Sequence, residues 1–121
     1  MKIYQYPNCS TCRKATKWLE AAGKTFSSVH IVNEAPDVAA LRDMWDRSGL
    51  ELKRFFNTSG QSYRGGGFKD KLPGMTDAEA HAALAADGML IKRPLLVVDD
   101  RIVKVGFREP EWRAALGLEA T

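Results

Sequence analysis

The opening stretch, Lys2 to Ile31, constrains the fold of this chain more than any other. Lys2 to Tyr6 is short and rich in β-branched and aromatic residues, which reads as a strand, and Pro7 and Asn8 end it. Ser10 to Ala22 then carries Cys12, Ala15, Leu19 and Ala22 at helical spacing, with Gly23 placed to close the helix. Thr25 to Ile31 reads as a second strand. A strand, a helix and a strand in so short a span form a βαβ unit, which implies parallel strands joined by a right-handed crossover.

The middle of the chain reads as helical. Asp37 can cap a helix with an apolar face of Val38, Leu41 and Trp45, ending at Gly49, and Leu52 to Phe56 adds one or two turns. Asn57 to Gly67 holds Gly60, Gly65, Gly66 and Gly67. Three consecutive glycines suggest a phosphate cradle, but these neither follow a strand nor open a helix, so a mobile loop is the expectation. Thr76-Asp77-Ala78-Glu79 has the form of a capping box, and its helix runs to Gly88.

The period then changes. Leu95-Leu96-Val97-Val98 is a continuous apolar run suited to a strand buried on both faces. Asp99-Asp100 reads as a turn and Arg101 to Val105 as the partner strand. Glu109-Pro110 opens a last helix with Trp112, Ala115 and Leu116 inward. The order βαβ, helices, ββα is that of an α/β, thioredoxin-like fold with a helical insertion. Its core is expected from residues 1–35 and 89–121, its insertion from 36–88, all in one domain.

Composition narrows the function. Eighteen basic and fifteen acidic residues give a net charge of +3, with the charges interspersed and the longest basic runs mere pairs such as Arg13-Lys14 and Lys92-Arg93. Nucleic-acid readers usually show a basic stripe or tail, so direct nucleic-acid binding is not expected. No apolar run is long enough to span a membrane, and Met1 to Tyr6 lacks the apolar core of a secretory signal. The expectation is a cytoplasmic monomer.

The two cysteines of the chain are Cys9 and Cys12. A Cys-x-x-Cys directly after a strand and opening a helix reads as a redox motif. Free backbone N–H groups and the positive end of the helix dipole stabilise a thiolate at that point. Cys9 is therefore expected to be the exposed nucleophile, with a pKa well below the free-thiol value of about 8.5. Cys12, one turn further in and on the apolar face, is expected to be the shielded, resolving thiol. Arg13 and Lys14 add positive potential beside the pair. An inert core pair would have no reason to sit together at a helix start. A zinc site needs four ligands, and only His30 and His81 remain, in unlike elements without ligand spacing. No metal is expected, and His30 in a strand and His81 on a helix flank read as bystanders.

Tyr6-Pro7-Asn8-Cys9-Ser10-Thr11-Cys12-Arg13-Lys14-Ala15 resembles the opening of the ArsC/Spx family, the arsenate-reductase-like branch of the thioredoxin superfamily, and within it the Cys-x-x-Cys-containing Spx/MgsR-like branch. The likeness continues through Phe56 to Gly60, Lys69 to Leu72, Asp87 to Pro94 and Val105 to Phe107. It implies a four-stranded mixed sheet and a cis Pro94 facing the cysteines. It also implies that Arg93 aims its guanidinium at an anion beside Cys9, where a planar fork suits an oxyanion or carboxylate. Catalysis would fall to Cys9, Cys12 and Arg93, and substrate binding to Ser10, Thr11, Arg13 and Pro94. The family's arsenate reductases hold their dianion with three arginines and use one catalytic cysteine. Arg93 matches one arginine; the other two positions fall near Asn57 and Val105, leaving Arg54, Arg64 and Arg108 as neighbours that could substitute. The resemblance thus implies a thiol–disulfide oxidoreductase acting on a small thiol or disulfide. It would bind no cofactor and be regenerated by an external thiol reductant, the glutathione/glutaredoxin or thioredoxin system. The alternative is an Spx-like redox-sensing regulator that binds the RNA polymerase α subunit.

Overall fold

The computed structural model describes residues 1–99 and 102–118. Four strands, β1 Lys2–Gln5, β2 Ser27–His30, β3 Leu95–Val98 and β4 Ile102–Val105, make one mixed sheet in the order β2-β1-β3-β4. The β1/β2 pair is parallel, with Ile3 opposite Ser28, as the βαβ reading requires. β3 runs antiparallel to β1, with Ile3 opposite Leu96, and β4 antiparallel to β3. Helix α1, Ser10–Ala21, connects β1 to β2, and α6, Glu109–Ala115, follows β4. Between β2 and β3 lie α2 Val38–Ser48, α3 Gln61–Gly65, α4 Phe68–Lys71 and α5 Asp77–Ala86, with 3-10 turns at Leu52–Phe55, Leu72–Gly74 and Gly88–Leu90. This is an α/β, thioredoxin-like architecture.

Alternation along the strands divides the core, because successive side chains of a strand point to opposite faces. Ile3 and Leu96 face one side, where Ala15 and Leu19 of α1 and Trp112 of α6 cover them. Tyr4, Leu95, Val103 and Val105 face the other, under Leu41 and Met44 of α2, Leu84 of α5 and the rings of Phe55 and Phe56. None of the helices among the described residues is long and apolar enough to cross a membrane.

Several local expectations need correction. The strand expected over Thr25 to Ile31 is confined to Ser27–His30. Val38 is 37% exposed, since it is the first residue of α2, and the buried face is carried by Leu41 and Met44. Trp45 is half-buried and donates its indole N–H to the Leu50 carbonyl at 2.8 Å. The glycine-rich stretch read as a mobile loop contains α3 and leads into α4. Rings hold it: Tyr63 stacks on Phe68 at 6.0 Å, and Phe56 lies 5.9 Å from Phe68. His81 is fully buried rather than on a flank, with Nδ1 against the Asp77 carbonyl at 2.7 Å and its ring 5.2 Å from Trp45. Asp100 and Arg101, read as part of the last turn and strand, lie outside the described residues.

Candidate active site at the start of the first helix

Cys9 occupies the N-cap position of α1. Its backbone is extended (φ −92°, ψ 116°) and its sulfur accepts the Cys12 N–H at 3.3 Å. Most N-caps use a hydroxyl, amide or carboxylate oxygen for that purpose. Here a sulfur takes the helix's free donor, and a thiolate would take it best. The turn is fixed from both sides: Cys9 N–H donates to the Tyr6 carbonyl at 3.0 Å, and Arg13 N–H donates to the Cys9 carbonyl at 3.1 Å. Cys9 is half-buried; Cys12 is fully buried on the face of α1 that also carries Ala15 and Leu19.

The two thiols titrate in opposite directions. Partial burial would raise the Cys9 thiol, but the thiol and backbone N–H of Cys12 and the positive charge of Arg93 more than offset it, so its pKa is lowered. Burial first, and then the hydrogen bond to the Cys9 sulfur and the charge there, push the Cys12 thiol up to about 12. Arg13 takes no part in this balance: its guanidinium donates to the Pro7 carbonyl at 2.9 Å. The cation that acts on both sulfurs is Arg93.

Strand direction explains why Arg93 is there. β1 ends where β3 begins, with Tyr4 opposite Leu95, and β3 begins where β4 ends, with Leu95 opposite Val105. Three segments distant in sequence therefore meet at one end of the sheet: Cys9 after β1, Lys92 and Arg93 before β3, and Gly106 to Arg108 after β4. A fourth is tied in by Lys92 N–H donating to the Phe55 carbonyl at 2.8 Å, which brings Arg54 alongside. The Arg93–Pro94 peptide is cis, as the resemblance implies, and Pro94 is buried. The Arg93 guanidinium lies 5.2 Å from the Tyr6 ring centre and donates weakly to the Met89 carbonyl at 3.4 Å. Its Nε is buried without a hydrogen-bond partner.

Thr11 and Arg93 line a cavity of about 300 Å³ together with Gly106 and three cations, Arg54, Lys92 and Arg108. Gly106 turns the chain there with φ +75°, a conformation that side chains disfavour, and its carbonyl is held by the buried Trp112 indole N–H at 3.0 Å. Of the three arginines that the sequence offered as substitutes, Arg54 and Arg108 reach this cavity and Arg64 does not. In the sequence Lys92 is half of a basic pair and falls within the Asp87 to Pro94 likeness, with no role attached to it. Its place before β3, next to Arg93, is the signal that could have assigned it. Ser10 is exposed at the first position of α1, and neither it nor Arg13 lines the cavity. Cys9 itself is not in the lining of this cavity, which Arg93, the cation acting on both sulfurs, connects to it; a second cavity, of about 230 Å³, is lined largely by apolar residues such as Leu52, Tyr63 and Leu72. Among the described residues no three metal-ligating side chains gather, and His30 Nδ1 accepts the N–H groups of Val32 and Asn33.

Comparison with known proteins agrees with this fold. The ArsC family model matches residues 4–115. The uncharacterized protein YusI of Bacillus subtilis strain 168 is 48% identical, over 93% of this chain and 94% of YusI. An ArsC-family-related protein of Bacteroides fragilis superposes with a TM-score of 0.90 at 45% identity, covering 93% of this chain and 94% of that one. The regulatory protein MgsR of Bacillus subtilis strain 168 is 26% identical, over 92% of this chain and 86% of MgsR.

Proposed function

Because the chain belongs to the ArsC family, we propose that it is a thiol–disulfide oxidoreductase in which Cys9 attacks and Cys12 resolves. The observation that carries this reading is the division of labour within one helical turn. Cys9 is partly open with a lowered pKa, whereas Cys12 is closed off and raised to about 12. Attack on a disulfide needs a thiolate that solvent-borne substrate can reach.

The cycle follows from that arrangement. Cys9 thiolate attacks one sulfur of the substrate disulfide; the S–S bond breaks, and the departing sulfur leaves as a thiolate that takes a proton from water. Part of what raises Cys12 is its hydrogen bond to the Cys9 sulfur and the charge there. Once Cys9 is held in a mixed disulfide that charge is gone, and Cys12 gives up its proton more readily. Cys12 then attacks the Cys9 sulfur and releases the second half of the substrate. The substrate has gained two electrons, and an external thiol reductant returns them to the oxidised pair. Such a cycle belongs in the reducing cytoplasm.

The test is steady-state reduction of a neutral disulfide with the glutathione or thioredoxin system as reductant. Turnover is expected from the native chain and lost in Cys9→Ser, while Cys12→Ser stalls as a mixed disulfide visible by mass spectrometry. Equal consumption by the native chain and Cys9→Ser sinks the reading.

The relation to MgsR, a regulatory protein, supports one alternative, in which the same pair is a redox switch on a chain that binds the RNA polymerase α subunit, as the family resemblance implies. Retention of this chain on immobilised α subunit in only one redox state, without turnover of disulfides, would select it.

A further inference from the structure

Resting on the reading of Cys9 as the attacking thiolate, we propose that Arg54, Lys92 and Arg108 make the cavity beside it a receptor for low-molecular-weight disulfides that bear carboxylates.

The cavity is assembled rather than incidental. Backbone bonds from Lys92 N–H to the Phe55 carbonyl at 2.8 Å and from Gly106 N–H to the Pro94 carbonyl at 2.8 Å tie its walls together. Those walls supply four cations, Arg54, Lys92, Arg93 and Arg108, and no carboxylate. The ion pairs of Asp43 with Arg47 and of Glu109 with Arg113 lie elsewhere, and among the described residues none of the four has an acidic partner. Like charges gathered this way repel one another, so the site is poised to gain from an anion. Arg93 Nε, buried and without an acceptor, adds a specific unmet donor.

Size and placement decide which anion. A cavity of about 300 Å³ holds roughly ten times the liquid volume of a water molecule, about 30 Å³. A single tetrahedral oxyanion fills only part of it. Arg54 and Arg108 are exposed at the rim, while Lys92 and Arg93 are half-buried further in. Charge spread in that manner suits separated carboxylates on a flexible chain, with the reacting sulfur turned to Cys9. In the step itself Cys9 sulfur bonds to one substrate sulfur, the substrate S–S bond breaks, and its other half leaves as a thiolate. The cations hold carboxylates throughout and take no part in electron transfer.

The test compares charged and neutral reagents at Cys9. In a Cys12→Ser background, mixed-disulfide formation is timed with oxidised glutathione and with bis(2-hydroxyethyl) disulfide, and alkylation with iodoacetate and with iodoacetamide. Arg54→Gln, Lys92→Gln, Arg108→Gln and the triple variant are compared with their parent, with folding checked by circular dichroism. The charged-to-neutral rate ratio is expected to fall about threefold for each single variant and at least about tenfold for the triple variant. In the parent it should also fall as salt rises from about 0.05 M to about 0.5 M. A ratio that survives the triple substitution overturns the proposal. So does protection of Cys9 from iodoacetamide by arsenate but not by oxidised glutathione, which makes the cavity an oxyanion site. If Cys9 fails to react even with the neutral disulfide, the oxidoreductase reading fails instead, and the iodoacetate-to-iodoacetamide ratio still decides whether the cavity prefers anions.

Discussion

Cys9 does for α1 what a serine or aspartate does for most helices, and that substitution of sulfur for oxygen sets its chemistry. The Cys12 N–H reaches it at 3.3 Å, so negative charge on the sulfur is met by the donor that the helix leaves free. Cys9 should therefore alkylate faster than Cys12 at neutral pH, with a pH profile lying on the acid side of the free-thiol value of about 8.5. Peptide mapping after a short pulse of iodoacetamide at several pH values measures this, and faster labelling of Cys12 would reverse the roles. Cys12 makes a second, opposite prediction. Its pKa is raised to about 12 in the folded chain, so the folded state holds that proton more tightly than the unfolded state does. The resulting stabilisation is complete below the unfolded value of about 8.5 and is lost as pH rises from there towards 12. The urea midpoint of the reduced protein should fall over that alkaline range, and Cys12→Ala should flatten the fall. An identical slope in both proteins would remove Cys12 as its cause.

Among the elements, those with their own local signals were the legible ones. The capping box is present in full, with Thr76 Oγ1 accepting Glu79 N–H at 3.1 Å and Glu79 Oε1 accepting Thr76 N–H at 3.0 Å. Thr76→Ala should cost about 1 kcal/mol in urea unfolding, the usual loss for an N-cap. Gly88→Ala should cost clearly more, because a Cβ there would collide with the backbone of Ile31 and Val32, and neither is a flexible side-chain tip. If the two variants unfold at the same midpoint, the close packing of the Gly88–Leu90 turn on the end of β2 is wrong. Other elements carried no local signal. α3 and the start of α4 depend on Phe56, Tyr63 and Phe68, rings brought together from both sides of the glycines. Propensity alone reads those glycines as breaks. α5 is mostly alanine, so no periodicity marked its inward face, and the burial of His81 was invisible.

At the scale of the whole molecule, the same contrast separates the cysteines from the cations. Cys9 and Cys12 could be read from adjacency and motif, and Arg93 from the family resemblance, with Arg54 and Arg108 only among three candidate substitutes; these two and Lys92 converge because β1, β3 and β4 end or begin at one end of the sheet. Their convergence changes the argument about arsenate. A sequence with a single assigned arginine lacks the charge to hold a dianion beside a thiolate; the folded chain has four cations there. What it lacks is preorganisation. Transition-state stabilisation comes from donors already fixed where charge develops, and losing one typically costs about 10²–10³ in rate. Arg93 is half-buried and braced on Tyr6, but Arg54 and Arg108 are exposed, and the resemblance puts the family's other two arginines near Asn57 and Val105, neither of which carries a charge. Exposed cations attract an anion through screened water without holding it in one geometry. Disulfide exchange asks less, since its charge passes from one sulfur to another. Arsenate turnover with excess glutathione should therefore run at least about 100-fold below the exchange rate with oxidised glutathione, both measured as kcat/KM on the same preparation. Comparable values would mean that Arg54 and Arg108 close on the oxyanion when it binds, and that the cavity is preorganised by its ligand rather than by the fold.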